Sequence, residues 1–327
     1  MAQFPSISGA SGIWSLTDVR NSLMGSNWPL MPPEGNTAAW FAGGSPGHIS
    51  TVNRITFATD TATATVRGPL SVARANLVGA GNFTDGWFSG GQLSTVQRIT
   101  YATDTATALI RGPLTAATYA IASVGNDTYA WFGGGYNVTR STINRITYAT
   151  DTDTASVRGP FSAVRYSMSA AGNSDYGWFG GGYFGGGAAG SSVQRITYAT
   201  DTATPSPRGP LSSGIRGEGA AGNTTDSWWA GGRLPGGGSS VSRVDRITYA
   251  TDTTTATTRG PLNNIRVTIT AAGGTTDGWH TGGQTGNTPG DVSTVERITY
   301  ATDTATASVR GPLSLATAGT GGAAGIQ

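Results

Sequence analysis

One octapeptide recurs six times along the chain. Arg98-Ile99-Thr100-Tyr101-Ala102-Thr103-Asp104-Thr105 returns almost unchanged from Arg54, Arg145, Arg195, Arg246 and Arg297. Successive copies start 44, 47, 50, 51 and 51 residues apart. Self-similarity at a period of roughly 40–50 residues marks a repeat architecture, and that length suits one four-stranded blade of a propeller. By length alone the 327 residues could be two ordinary domains. The repeats predict one large closed domain with a short N-terminal appendage: residues 1–34 as an arm and 35–327 as the ring. The 51 glycines, with Ala and Thr abundant in the repeats, fit short strands and tight turns.

The second unit shows how each copy reads. Residues 73–80 alternate loosely, as a strand does. Gly81-Asn82-Phe83-Thr84-Asp85-Gly86 carries turn chemistry, with Asp85-Gly86 as a hairpin signal. Trp87-Phe88-Ser89-Gly90-Gly91 reads as a second strand ending in a glycine pair, and residues 95–102 as a third. Residues 103–106 form the next turn, and residues 107–111 a fourth strand closed by Gly112-Pro113. Proline has no N–H to give a ladder, so Pro113 ends that strand and turns the chain into the next unit.

This order resembles the kelch repeat across residues 35–327. The glycine pairs stand at Gly43-Gly44, Gly90-Gly91, Gly134-Gly135, Gly181-Gly182, Gly231-Gly232 and Gly282-Gly283. The third-strand aromatic is Phe57, Tyr101, Tyr148, Tyr198, Tyr249 and Tyr300. An arginine follows the proline linker as Arg74, Arg165, Arg216 and Arg266, with Thr118 and Thr317 in the other two units. The fourth-strand tryptophan of the kelch pattern is absent, with Ala64, Ala108 and Ala155 near its place. The resemblance implies an all-β, six-bladed propeller. It implies no particular activity, because one such scaffold serves many roles.

The first unit enters at its second strand, and residues 315–325 match a first strand with no second strand after it. The two halves complement each other. Residues 314–325 are therefore predicted to complete the first blade as its innermost strand, leaving no open sheet edge in the ring.

Residues 1–34 stand outside the repeats. Ser15-Leu16-Thr17-Asp18 reads as a variant capping box. Leu16, Val19, Leu23 and Met24 follow at helical spacing, and Gly25 would stop the helix before Trp28-Pro29. A helix of about ten residues is marginal alone in water and needs a surface to lie on. Trp14, Leu16, Val19, Leu23 and Trp28 are the candidate docking residues, either on the propeller rim or on another protein. The stretch from Gly12 through Arg20 to Asn27-Trp28-Pro29 resembles a segment of phage structural and tail proteins. That resemblance implies a virion component.

Formal charge is +2, so bulk charge points to no strongly charged partner. All 20 basic residues are arginine. Twelve sit in two motifs repeated once per unit, Arg-Ile-Thr and Arg-Gly-Pro. Charge spread that evenly makes no patch for nucleic acid and fits local pairing with carboxylates and carbonyls. Without cysteine there are no disulfides or thiolate metal sites. No apolar run reaches membrane-spanning length, and the start lacks the pattern of an export signal.

Arg98 and Asp104 lie six apart, as do their counterparts. They read as a structural interaction in each blade, with the aspartate fixing its own turn, or as a ring of binding sites. Symmetry favours structure, because a catalytic site normally breaks it. Trp40, Trp87, Trp131, Trp178, Trp228 and Trp279 recur on the second strands. They could stack sugars, but the slot is that of a core aromatic. Two histidines, His48 and His280, and three glutamates, Glu34, Glu218 and Glu296, give little for catalysis. His280 beside Trp279 reads as a packed histidine. No catalytic residue, cofactor or metal is expected. Sequons at Asn82, Asn126, Asn137 and Asn223 read as turn chemistry.

The repeats differ most between the glycine pair and the third strand, at 45–51, 92–95, 136–142, 183–192, 233–243 and 284–294. In up-and-down blades these loops share one face with the blade-to-blade connectors. Varied loops on a constant frame are where binding usually sits. Tyr136, Arg140, Tyr183, Phe184, Arg233 and Arg243 are the residues there best suited to contacts; the alternative is a solvated loop. The leading expectation is a non-enzymatic phage structural protein present in many copies. It would dock on other virion proteins through the arm and meet a host glycan or protein through the variable loops. The alternatives are a carbohydrate-binding propeller of a cell surface or secreted system, and a hydrolase or lyase using Asp and Arg of one blade.

Overall fold

A computed structural model describes residues 37–136, 140–185, 189–286 and 290–324. The candidate docking arm, with Trp14, Leu16, Val19, Leu23 and Trp28, lies outside the described residues.

Six four-stranded antiparallel sheets make a six-bladed β-propeller. Blade 2 is the pattern: an inner strand Leu77–Gly81, then Asp85–Gly90, Leu93–Thr100 and a short outer strand Leu109–Arg111. Blades 3 to 6 repeat it over 122–158, 165–208, 219–259 and 270–310. Blade 1 takes three strands from the start of the ring, Ala38–Ala42, Val52–Thr56 and Thr65–Arg67. Its innermost strand is Gly321–Ala324, paired antiparallel with Ala38–Ala42 through Trp40↔Ala323 and Phe41↔Gly322. The ring thus closes through a hydrogen-bonded ladder between its first and last strands.

Two expectations about local structure change. Tyr101 and Ala102 do not extend the third strand; they open a 3-10 turn, Tyr101–Thr103, repeated in every blade. The turn aims the tyrosine ring at the neighbouring blade. Asp85-Gly86 is not the hairpin tip, since Gly86 pairs with Gly81 in the ladder. The tip is Asn82, whose Oδ1 accepts the N–H groups of Thr84 and Asp85 at 2.9 Å each. Asn126, Asn173 and Asn223 do the same, as asparagine does in an Asx turn.

The core is a chain of interfaces between blades. Each second-strand tryptophan is at most 2% exposed and stacks on the third-strand aromatic of the next blade. Trp40 lies 3.8 Å from Tyr101 at 8°, and Trp279 closes the ring on Phe57 at 4.0 Å and 6°. The tryptophans are core residues with no face free for a sugar. The indole N–H also needs a partner once buried, and the next blade's turn aspartate supplies it. Trp131 donates to Asp201 at 2.8 Å, and Arg145 and Arg158 reach the same carboxylate at 3.0 and 3.3 Å.

This clasp occurs at all six interfaces, on Asp104, Asp151, Asp201, Asp252, Asp303 and Asp60. The recurring aspartate therefore serves the preceding blade: Arg98 pairs with Asp151 at 3.1 Å. The Arg-Gly-Pro glycine is fixed by the same contact. Gly159 N–H donates to the Asp201 carbonyl at 2.9 Å, and a Cβ there would run into the backbone of Ala203.

Candidate functional site

The clasps all lie on the face of the third-to-fourth-strand turns. The opposite face carries the variable loops and the connectors, and there an axial cavity of about 330 Å³ opens. A smaller cavity of about 130 Å³, walled mostly by glycine and alanine, opens at the clasp end.

The mouth is built at fixed offsets from the linker prolines. Seven residues after each proline stand Asn76, Ala120, Ser167, Gly217, Thr268 and Gly319, all at the mouth. All six are left-handed, with φ between 54° and 64°. That conformation costs a β-branched residue such as Thr268 about 1–2 kcal/mol. The return is a ring of backbone hydrogen bonds from blade to blade. Asn76 donates to Gly319, Gly319 to Thr268, Thr268 to Gly217, Gly217 to Ser167 and Ser167 to Ala120, at 2.6–3.2 Å. The sixth link, Ala120 to Asn76, is open; the Asn76 carbonyl accepts Gly91 N–H at 3.3 Å instead.

Six residues after the prolines stand Ala75, Tyr119, Tyr166, Arg216, Val267 and Ala318. Just after the glycine pairs stand Ser45, Gln92, Tyr136, Tyr183, Arg233 and Gln284. The two sets alternate around the mouth. In blades 3 to 5 they give a continuous arc: Tyr119–Tyr136 at 5.3 Å between ring centroids, Tyr136–Tyr166 at 4.7 Å, Tyr166–Tyr183 at 5.1 Å, and Arg216 over Tyr183 at 4.8 Å. The other half of the mouth carries small, aliphatic or amide side chains. Desolvation, then the neighbouring Tyr136, raises the pKa of both Tyr119 and Tyr166; Tyr183 and Arg216 also act on Tyr166, raising and lowering it respectively.

Of the six loop residues singled out in the sequence, the arc brings together Tyr136, which is 47% exposed, and Tyr183. Phe184 lies under the Arg165 guanidinium at 4.7 Å. Arg243 turns inward to Asp245 at 3.3 Å and Ser213 Oγ at 2.7 Å. Arg233 bridges to the Arg216 backbone and donates to the Gly286 carbonyl at 3.1 Å. Arg140 is half-buried and joins the linker through its backbone, accepting Arg165 N–H at 3.1 Å.

Arg216 does not occupy the arginine slot that follows the linker proline, where the sequence suggests it. That slot falls five residues after the proline, where Arg74, Arg165 and Arg266 are at most 1% exposed and blade 5 has Ile215. Arg216 is one residue further on, in the Tyr119 and Tyr166 position. Counting from the prolines, rather than matching residue types, would have revealed this arc.

Two buried ionisable groups lie in the surrounding framework. Glu218 takes the slot of Leu77, Ile121, Met168 and Ile269; among the described residues its carboxylate oxygens make no well-formed hydrogen bond, and the nearby backbone N–H groups of Glu218 and Ser169 only partly offset its burial. Burial pushes its pKa up to about 8. His280 takes the slot of Phe41, Phe88, Phe132, Phe179 and Trp229, and both ring nitrogens lack partners among the described residues. Burial, with Arg266 adding to it, lowers its pKa to about 3. His280 is thus a packed residue held neutral. Among the described residues no cluster of three His, Cys, Asp or Glu could hold a metal, and no helix is long and apolar enough to cross a membrane.

The chain matches no family model and no curated protein.

Proposed function

We propose that this protein is a non-enzymatic structural component of a phage virion. In this reading it is a kelch-like propeller that docks on other virion proteins through residues 1–34 and meets the host surface with the mouth face. It is made in the host cytoplasm and assembled in several copies. The observation that carries the recognition role is the aromatic arc confined to one side of one face. Packing requirements repeat with the blades, whereas Tyr119, Tyr136, Tyr166, Tyr183 and Arg216 occur in three consecutive blades only. The resemblance of the 12–29 segment to phage structural proteins supports the virion assignment.

The test is genetic and physical. Deleting residues 1–34 is expected to leave the propeller folded and to abolish its incorporation into particles. Tyr136→Ala is expected to leave incorporation intact and lower adsorption to the host. Incorporation without the arm overturns its docking role, and unchanged adsorption overturns the contact role of the arc. The same arc also favours a second reading, a carbohydrate-binding propeller of a cell surface or secreted system. Absence of the protein from purified particles would select it.

A further inference from the structure

We propose that the mouth of the axial channel is a binding site for an acidic saccharide. A pyranose ring lies on the tyrosine faces and its carboxylate pairs with Arg216. This assignment rests on the reading of the arc as the contact surface and gives it a ligand class.

Three observations converge. First, Tyr119, Tyr136, Tyr166 and Tyr183 form an unbroken run of ring contacts spanning two blades, with Tyr136 half in solvent. Such rings pair an apolar face, suited to the C–H side of a sugar, with a hydroxyl that suits its polar edge. Second, the run ends on a cation that the protein leaves free of carboxylates. Twelve motif arginines, Arg243 and Arg266 pair with acids, and Arg74 and Arg165 are buried on the Thr95 and Ser192 carbonyls; Arg216, part-exposed at the mouth, makes no ion pair among the described residues. It lies over Tyr183, and its Nε has no hydrogen-bond partner among the described residues. A guanidinium resting over a ring keeps a fork of donors that suits a carboxylate.

Third, the arc borders a cavity of about 330 Å³, within the range of small-ligand sites. Below the mouth its wall mixes small residues such as Gly79, Ser123 and Gly322 with Val78, Met168 and Ile269, and it includes Glu218, whose carboxyl burial holds protonated and so without charge near neutral pH. The wall also offers hydroxyls: Ser123, Ser169 and Thr270 already donate to the carbonyls of Gly79, Glu218 and Thr320. Their oxygens remain available as acceptors for a ligand rich in hydroxyl groups.

The full chain would be titrated calorimetrically with trigalacturonate and with its neutral counterpart, galactotriose. Trigalacturonate is expected to bind about tenfold more tightly, the scale of one charge-assisted pair. Arg216→Gln should erase that preference and leave the neutral sugar unchanged. Tyr136→Ala, at an exposed position where folding is not at stake, should weaken both sugars at least fivefold, about the weight of one aromatic contact. Val309→Ala, exposed on the outer strand Ser308–Arg310 of the sixth blade, should change neither.

No saturable binding of either sugar overturns the assignment, as does trigalacturonate binding that Arg216→Gln leaves intact. These outcomes separate from failure of the broader reading. If Tyr136→Ala lowers adsorption but no sugar binds, the ligand class is wrong and the contact surface stands. If sugar binds at the arc but adsorption is unaffected, the site stands and the host-contact role falls.

Discussion

The two faces of the ring are made from the same six repeats but treat sequence in opposite ways. On the clasp face, tryptophan, two arginines and an aspartate recur in every blade, and the only change in the stacked pair is Phe57 for tyrosine. On the mouth face, one framework position holds Ala75, Tyr119, Tyr166, Arg216, Val267 and Ala318 in turn. The difference follows from how many partners a change would strand. Losing one clasp aspartate leaves a buried indole N–H and two guanidinium groups of the preceding blade without their acceptor. Losing one mouth side chain exposes a neighbour to water that already reaches it. The clasp face is thus held by mutual dependence across each interface, and the mouth face is free to carry a one-sided surface.

The largest expected effect tests that contrast directly. Asp201→Ala should cost roughly 3 kcal/mol, because the Trp131 N–H loses its partner while Arg145 and Arg158 keep partial access to water. Tyr136→Ala should fall within about 0.5 kcal/mol of the parent, as exposed substitutions usually do. Urea unfolding of the two variants side by side checks this. Equal losses would show that the arc belongs to the framework.

The clasp face was largely legible in the sequence and the mouth was not, for physical reasons. Period, blade count, closure by the last strand and burial of the tryptophans follow from repetition, because a packing need shared by all interfaces is written six times. Repetition does not say which copy a residue serves, so Asp104 reads as fixing its own turn although it serves Trp40 and Arg67 of the preceding blade. The arc is harder still. Tyr119 and Tyr136, or Tyr136 and Tyr166, are neighbours only because connector and loop of adjacent blades meet at the mouth. The shift of Arg216 by one place relative to Arg165 is hidden by residue type and appears only in the count from proline. His280, by contrast, was readable as a packed residue: Trp279-His280 stands where other blades have Trp-Phe or Trp-Trp.

Glu218 sharpens the comparison because it is a mouth-side departure at a position that packs between blades. A Cβ on Gly181 of blade 4 would collide with its carboxyl, much as one on Gly134 would collide with Met168. Its folded-state pKa, about 8, lies above the ordinary 4.5. The folded protein therefore holds a proton that the unfolded chain releases between those values. The stability from this protonated state is full below about pH 4.5 and declines as pH rises toward 8. Glu218→Met, which copies blade 4, should flatten that decline and stabilise the protein at pH 8 by about 1–3 kcal/mol. Melting curves of parent and variant from pH 5 to pH 9 check it. An unchanged slope would mean that the carboxyl finds water in the folded state and that burial does not govern this position.

A smaller stabilisation at neutral pH is expected from His280→Phe, and its pH dependence runs the opposite way. His280 is neutral in the folded protein down to about pH 3, against an ordinary value of 6.5. Between those values the unfolded chain binds a proton that the folded protein excludes. The stability from neutral His280 is thus present above about pH 6.5 and lost as pH falls toward 3. Phenylalanine restores the residue of blades 1 to 4 and removes two ring nitrogens that have no partner among the described residues. At pH 7 the gain should be about 1 kcal/mol, the usual cost of one buried unsatisfied group. At pH 4 it should grow to a few kcal/mol, because the parent alone pays the proton penalty. Melting temperatures at pH 7 and pH 4 separate the two contributions. A gain that does not grow with acidity would mean that His280 is protonated inside the folded ring and that burial does not set its charge.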